Sequence, residues 1–117
     1  MKIDEFQKVL NLVDLKKIKT LEKLVLAHRD IIIIGNGGSN SIASHISQDY
    51  TKRLGKRSFS FSDPSRLTCY INDYGMEVAY KQFLKEFADK DSLVILISSS
   101  GNSENIVNCA RHCIDSD

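Results

Sequence analysis

Two short, wholly apolar runs punctuate the chain, Ile31 to Ile34 and Leu93 to Ile97. Neither offers a polar side, and both are too short for a helix. That is the pattern of strands covered on both faces in a parallel sheet. A third segment, Ser58 to Ser62, alternates, with Phe59 and Phe61 on one side. It predicts an edge strand with one less buried face. Elsewhere the apolar period is helical. Residues 4 to 28 predict two helices, one with Phe6, Val9, Leu10 and Val13 on its apolar face, the other with Ile18, Leu21, Leu24 and Val25. Asp14 suits the N-cap of the second. Residues 40 to 54 predict a helix with Ile42, Ile46 and Tyr50 one turn apart. Asp63-Pro64 opens a short helix to about Ile71, with proline at its first position. Asn72-Asp73-Tyr74-Gly75 breaks it. A helix over 76–88 follows, burying Val78, Phe83 and Phe87, and a last helix starts near Ser103.

Short apolar strands alternating with helices predict an α/β fold, a doubly wound parallel sheet with right-handed crossovers. The alternating strand fits an edge and the apolar strands fit the interior, giving the order 2-1-3. The carboxyl ends of the first and third strands then flank the switch point where open α/β sheets bind ligands. The expected organisation is one domain over 1–117, with N-terminal helices over 1–28 and a sheet core over 30–117. The third strand, apolar on both faces, requires a further neighbour, and no strand follows the last helix before Asp117. The expectation is therefore a C-terminally truncated domain, or a neighbour supplied by another chain.

Both apolar strands run into Gly/Ser loops: Gly35-Asn36-Gly37-Gly38-Ser39, and Ser98-Ser99-Ser100-Gly101-Asn102-Ser103. Each loop opens a helix, where free N–H groups and the helix dipole favour an anion. Glycine allows close backbone approach, and the serines add hydroxyl donors. Neither loop contains Lys or Arg, which suits one phosphomonoester held by neutral donors better than a triphosphate with magnesium. A P-loop would need Gly-Lys-Ser/Thr, which is absent. A dinucleotide fingerprint would need a third glycine where Asn40 stands, although Asp63 does sit where a ribose-binding acid would. The plain alternative is a pair of tight turns.

His45 and Asp49, four residues apart, share a helix face. They read either as a solvated pair or as a metal-binding or acid–base pair. Asp73 reads as a loop acid. Cys109, His112 and Cys113 cluster on the last helix without a second ligand group, so buried core cysteines are the better account. Lys52, Arg53, Lys56 and Arg57 form a basic stretch that is a solvated face or reaches a phosphate on a neighbouring subunit.

Composition changes this picture little. The chain has 117 residues, 42% hydrophobic and 26% charged, within the globular range, and a net charge of +1. That balance gives no electrostatic case for nucleic acid or a membrane surface. Three cysteines, and an N-terminus that mixes charged and apolar residues, fit a reducing, cytoplasmic setting without a signal peptide.

The motifs Asn36-Gly37-Gly38-Ser39, His45, Asn72-Asp73-Tyr74-Gly75 and Ser98-Ser99-Ser100-Gly101-Asn102-Ser103, with Asn105 following, resemble the sugar isomerase (SIS) domain family. Asn72-Asp73 points to its phosphoheptose isomerase branch. The resemblance implies a five-stranded, flavodoxin-like sheet and a homotetramer. It implies aldose–ketose isomerisation of sedoheptulose 7-phosphate to D-glycero-D-manno-heptose 7-phosphate, the entry to bacterial surface-glycan heptose. By position, Ser39, Ser98, Ser99, Ser100 and Ser103 would line the substrate, chiefly its phosphate, with Asn36, Gly37, Gly38, Asn72 and Asp73 also in contact. His45 would be a zinc ligand, with Asp49 joining it. No nucleotide cofactor is expected. Asp49 stands where the family has a catalytic glutamate, one methylene shorter. The family's catalytic histidine and a nearby glutamine would fall after Asp117. A non-catalytic module that binds a phosphosugar or a protein, such as one associated with a replication initiator, is the alternative.

Overall fold

In a computed structural model, which describes residues 1–116, the two apolar runs lie side by side as parallel strands. Strand β1 (Asp30–Gly35) is central, with β2 (Arg57–Ser60) on one side and β3 (Ser92–Ile97) on the other. All pairings are parallel and the order is β2-β1-β3, as the sequence predicts. The register sets Ile31 between Ser58 and Leu93, and Gly35 opposite Ile97.

Alternation along β1 divides its isoleucines between two layers. Ile31 and Ile33 pack with Val25 and Ala43, beneath α2 (Leu15–Ala27) and α3 (Gly38–Leu54). Ile32 and Ile34 pack with Phe61, Tyr80, Phe83, Leu84, Ile106 and Cys109, beneath α4 (Pro64–Tyr74), α5 (Met76–Phe87) and α6 (Glu104–Asp115). All four isoleucines are fully buried, each a contribution of about 1.5–3 kcal/mol by transfer. Phe61 stacks on Phe83 at 4.1 Å and meets Tyr70 and Tyr80 edge-on. Cys109 is buried in this layer, as a core cysteine should be.

Several local expectations are corrected. The second strand ends at Ser60 rather than Ser62, because Asn40 Nδ2 donates to the Phe61 carbonyl (3.3 Å) in place of a strand partner. Asp63 then caps α4, accepting from Arg66 N–H (2.9 Å). That helix runs through Asn72 and Asp73 to Tyr74, so the pair sits on its last turn and not in a loop. The break is Gly75 alone, whose φ of +86° both ends α4 and opens α5. In α3 the buried positions are the small Ala43 and Ser47, while Ile42 faces out. In α5 they are Ala79, Tyr80, Phe83 and Leu84, while Val78 and Phe87 are exposed. Strand β3 ends the sheet among the described residues, as the order 2-1-3 expects, and all its positions are half-buried.

Asp14 caps α2 as expected, accepting from Lys16 N–H at 2.9 Å. Preceding it is α1 (Ile3–Asn11), yet Phe6, Val9, Leu10, Val13, Ile18, Leu21 and Leu24 are all exposed, and only Val25 of the two helices is buried. Lys56 is not a free basic residue. Its Nζ donates to the carbonyls of Leu26 and His28 (2.8 Å each), capping the C-terminus of α2.

Candidate functional site

Both Gly/Ser loops leave the carboxyl end of the sheet at the same level, because Gly35 and Ile97 are register partners. In the first loop, Gly35 is dictated by space. A Cβ there would lie 2.7 Å from the Ser39 carbonyl carbon. Gly37 is dictated by conformation, with φ +54°. Gly38 is dictated by neither: a Cβ would meet nothing within 4 Å, and its φ is ordinary. The turn closes through Ser39 N–H to Asn36 O (3.0 Å) and Asn40 N–H to Gly37 O (3.0 Å). That leaves the N–H groups of the exposed Gly37 and Gly38 without an acceptor among the described residues, at the start of α3.

The second loop folds on its own hydroxyls. Ser98 Oγ accepts from Gly101 N–H (3.0 Å) and Ser100 Oγ from Asn102 N–H (3.1 Å). Both O–H groups are thereby left to donate outward. Gly101 takes φ +68°. Ser103 is the N-cap of α6 but its side chain makes no capping bond, and among the described residues its hydroxyl and the N–H groups of Glu104 and Asn105 are unpaired. Ser99 is exposed at the tip. Together the loops present backbone donors and five serine hydroxyls, Ser39, Ser98, Ser99, Ser100 and Ser103, with no cation among them, the arrangement of an anion site.

The side chain of Asn36 does not face this donor array. It exchanges two hydrogen bonds with Asn105, Asn36 Nδ2 to Asn105 Oδ1 (2.9 Å) and Asn105 Nδ2 to Asn36 Oδ1 (2.8 Å). Tyr80 Oη, buried in α5, donates to the Gly35 carbonyl (2.7 Å). Neither anchor is legible in sequence; the one signal for Asn105 is its place just after the serine run.

Asn72 and Asp73 lie at the same end of the sheet, because α5 runs back from Gly75 toward the start of β3. Asn72 Nδ2 donates to Asp73 Oδ1 (3.1 Å) and Cys69 Sγ to Asp73 Oδ2 (3.5 Å). The Asp73 carboxylate pushes the Cys69 thiol pKa up, chiefly through that hydrogen bond. Neither residue bonds to either loop.

His45 joins Gly37, Asn40, Ser41, Ser44, Gln48 and Ser62 around a polar cavity of about 410 Å³ beside the first loop. Asp49 lies outside it, eleven positions beyond Gly38 and about 16 Å down α3. At that distance Asp49 is not in contact with an anion held at the first loop. His45 Nε2 stands 3.6 Å from Asp49 Oδ2, and Arg53 Nε 3.7 Å from Asp49 Oδ1. The His45 side chain is 76% exposed, so no wall among the described residues opposes the pair. Zinc takes three or four protein donors. Among the described residues no three His, Cys, Asp or Glu converge, so this pair alone does not make a zinc site.

Nor is any helix among the described residues long and apolar enough to cross a membrane.

No family model matches the chain. It is similar to the phosphoheptose isomerase of Fusobacterium nucleatum, 35% identical over 97 residues, covering 79% of this chain and 50% of that protein. It is also similar to that of Glaesserella parasuis, 31% identical over 122 aligned positions, covering 92% of this chain and 64% of the relative. The chain thus spans about half to two thirds of the length of these relatives. A solved phosphoheptose isomerase from Neisseria gonorrhoeae superposes with a TM-score of 0.85 at 23% identity, over 98% of this chain and 64% of that one. One from Francisella tularensis gives 0.66 at 20% identity, over 98% and 71%. At those identities the structures attest the fold. The chain is thus similar in sequence to the phosphoheptose isomerases over most of its own length, and it shares their fold.

Proposed function

We propose that this chain is the phosphosugar-binding part of an aldose–ketose isomerase that converts sedoheptulose 7-phosphate to D-glycero-D-manno-heptose 7-phosphate. The observation that carries this reading is the pair of cation-free donor loops at the adjacent ends of β1 and β3. Ser39, Ser98, Ser99, Ser100 and Ser103, with the N–H groups of Gly37 and Gly38, would hold the phosphate. Asn72 and Asp73, at the same end of the sheet, would meet the polyol.

The reaction needs a base to take a proton from C1 and an acid to protonate the C2 oxygen, giving an enediol. The O1 proton then leaves as C2 is protonated. Asp49 is the carboxylate proposed for this role, with His45 beside it. Their exposure requires a second wall, from another copy or from chain outside these residues. The exposed apolar faces of α1 and α2 support self-association, and a cytoplasmic homotetramer is the proposed assembly. Zinc would need donors beyond His45 and Asp49, so no step is assigned to it. Metal analysis of the purified protein tests its presence.

The test is conversion of sedoheptulose 7-phosphate, followed by NMR of the products. Conversion, with turnover raised by Asp49→Glu, supports the isomerase. A reach error near 1 Å can cost on the order of a hundredfold, which bounds the gain. Binding without conversion favours the non-catalytic module, for which the shortened Asp49 speaks. No binding of any sugar phosphate overturns both phosphosugar readings.

A further inference from the structure

We infer that Asn105 is a positioning residue, which sets the spacing of the two donor loops through its amide pair with Asn36. The inference rests on the phosphosugar reading for its functional half only. Asn36 directly follows β1 in the first loop and Asn105 lies in the first turn of the helix that the second loop opens. They are 69 residues apart in sequence, and their side chains exchange two hydrogen bonds of 2.9 and 2.8 Å. The paired geometry makes the orientation of each amide depend on the other. Flipping either would set N–H against N–H and oxygen against oxygen. Asn105 is 5% exposed, so its amide has Asn36 as its partner and no ready replacement from solvent.

The β1–β3 backbone pairing sets the level at which both loops leave the sheet; beyond the strands, the other hydrogen bonds of the loops are local to one of them or, like Tyr80 to Gly35, tie one loop to a helix. The amide pair alone, among the side-chain hydrogen bonds of the described residues, joins the two. An anion held between the loops by fixed dipoles depends on their separation more than on the strength of any single donor. The buried side chain of Asn105 is bonded to Asn36 and not to the donor array, so that side chain acts through Asn36.

The experiment compares the wild-type chain with Asn105→Leu, which keeps nearly the same shape and deletes both hydrogen bonds. A second variant, Asn105→Ser, serves if the first does not fold. Two readouts are taken. One is the backbone amide NMR signals of Gly37 and Gly38, on the loop that does not carry the substitution. The other is the affinity for sedoheptulose 7-phosphate. The expected result is displaced or broadened Gly37 and Gly38 signals and an affinity weakened about tenfold, the scale of two lost neutral hydrogen bonds. Signals unchanged on the first loop overturn the inference, whatever happens to the melting temperature. So does an unchanged affinity in a variant of a wild type that binds. If the wild type binds no phosphosugar, the functional reading fails by itself, and the Gly37 and Gly38 signals alone decide whether the pair sets the loop.

Discussion

Gly38 separates a glycine kept for a ligand from one kept for the fold. Its φ is ordinary and an added Cβ would meet nothing within 4 Å. Gly38→Ala therefore costs the folded state no contact, while it narrows the unfolded ensemble. The expected gain is about 0.4–1 kcal/mol, a rise in melting temperature of roughly 2–4 °C. The open space beside Gly38 is also where a phosphate on the free Gly37 and Gly38 N–H groups would sit. A methyl there displaces the anion from one or both donors. A hydrogen bond to a charged group contributes about 1.5–3 kcal/mol, so affinity should fall roughly 10- to 100-fold. Gly35→Ala is the control of opposite sign. Its Cβ would lie 2.7–2.8 Å from Ser39 backbone and side-chain atoms. Overpacking of that kind costs about 1–3 kcal/mol, a fall in melting temperature of roughly 4–12 °C. Differential scanning fluorimetry with and without sedoheptulose 7-phosphate, then calorimetric titration, reads both quantities. A Gly38→Ala protein that melts higher and binds the phosphosugar as well as wild type would refute the placement of the anion on this loop.

Three further outcomes are expected. Tyr80→Phe removes the donor to a buried carbonyl, Gly35 O; chemical denaturation should show a loss of about 1–2 kcal/mol, with weaker phosphosugar binding. Alkylation at pH 8 should label Cys69 and spare Cys109, whose thiol burial pushes up to about 12; Asp73→Asn should speed Cys69 labelling, since the Asp73 carboxylate is what raises that thiol. The hydrogen bond from Tyr70 Oη holds the Glu86 carboxyl below its usual 4.5. A lowered carboxylate stabilises the fold above its unfolded pKa and loses that contribution as pH falls through the folded one. The melting difference between wild type and Tyr70→Phe should thus be constant near neutrality and shrink below about pH 4.5; a difference independent of pH would count against the pairing.

The sheet was legible because its signal is composition over a whole segment. Ile31–Ile34 and Leu93–Ile97 admit little but buried parallel strands, and the alternation of Phe59 and Phe61 marks an edge. The loops were legible because Gly and Ser at a strand end have few structural roles that call for so many of them together. What escaped was set by tertiary partners. Asn72 and Asp73 look like breakers, yet Asp63 at the start of α4 and Gly75 at its end allow the helix to run through them. Ile42 looks like core, but close approach to β1 selects Ala43 and Ser47 instead. Lys56 looks like part of a basic face, and only the packing of α2 shows the carbonyls it caps. The Asn36–Asn105 pair is beyond any local pattern, because its partners are brought together by the β1–β3 pairing itself.

The strand order also has a kinetic consequence. No two neighbouring strands form a hairpin, so the sheet has no local nucleus. Closing Asp30 onto Arg57 loops out 27 positions, and closing Asp30 onto Ser92 loops out 62. Chain entropy disfavours the longer closure by about 0.7 kcal/mol more, and such distant pairings slow folding. The β1–β2 half should therefore assemble ahead of the β1–β3 half. The two donor loops meet only across the later pairing, so the binding cleft is among the last parts of the molecule to exist during folding.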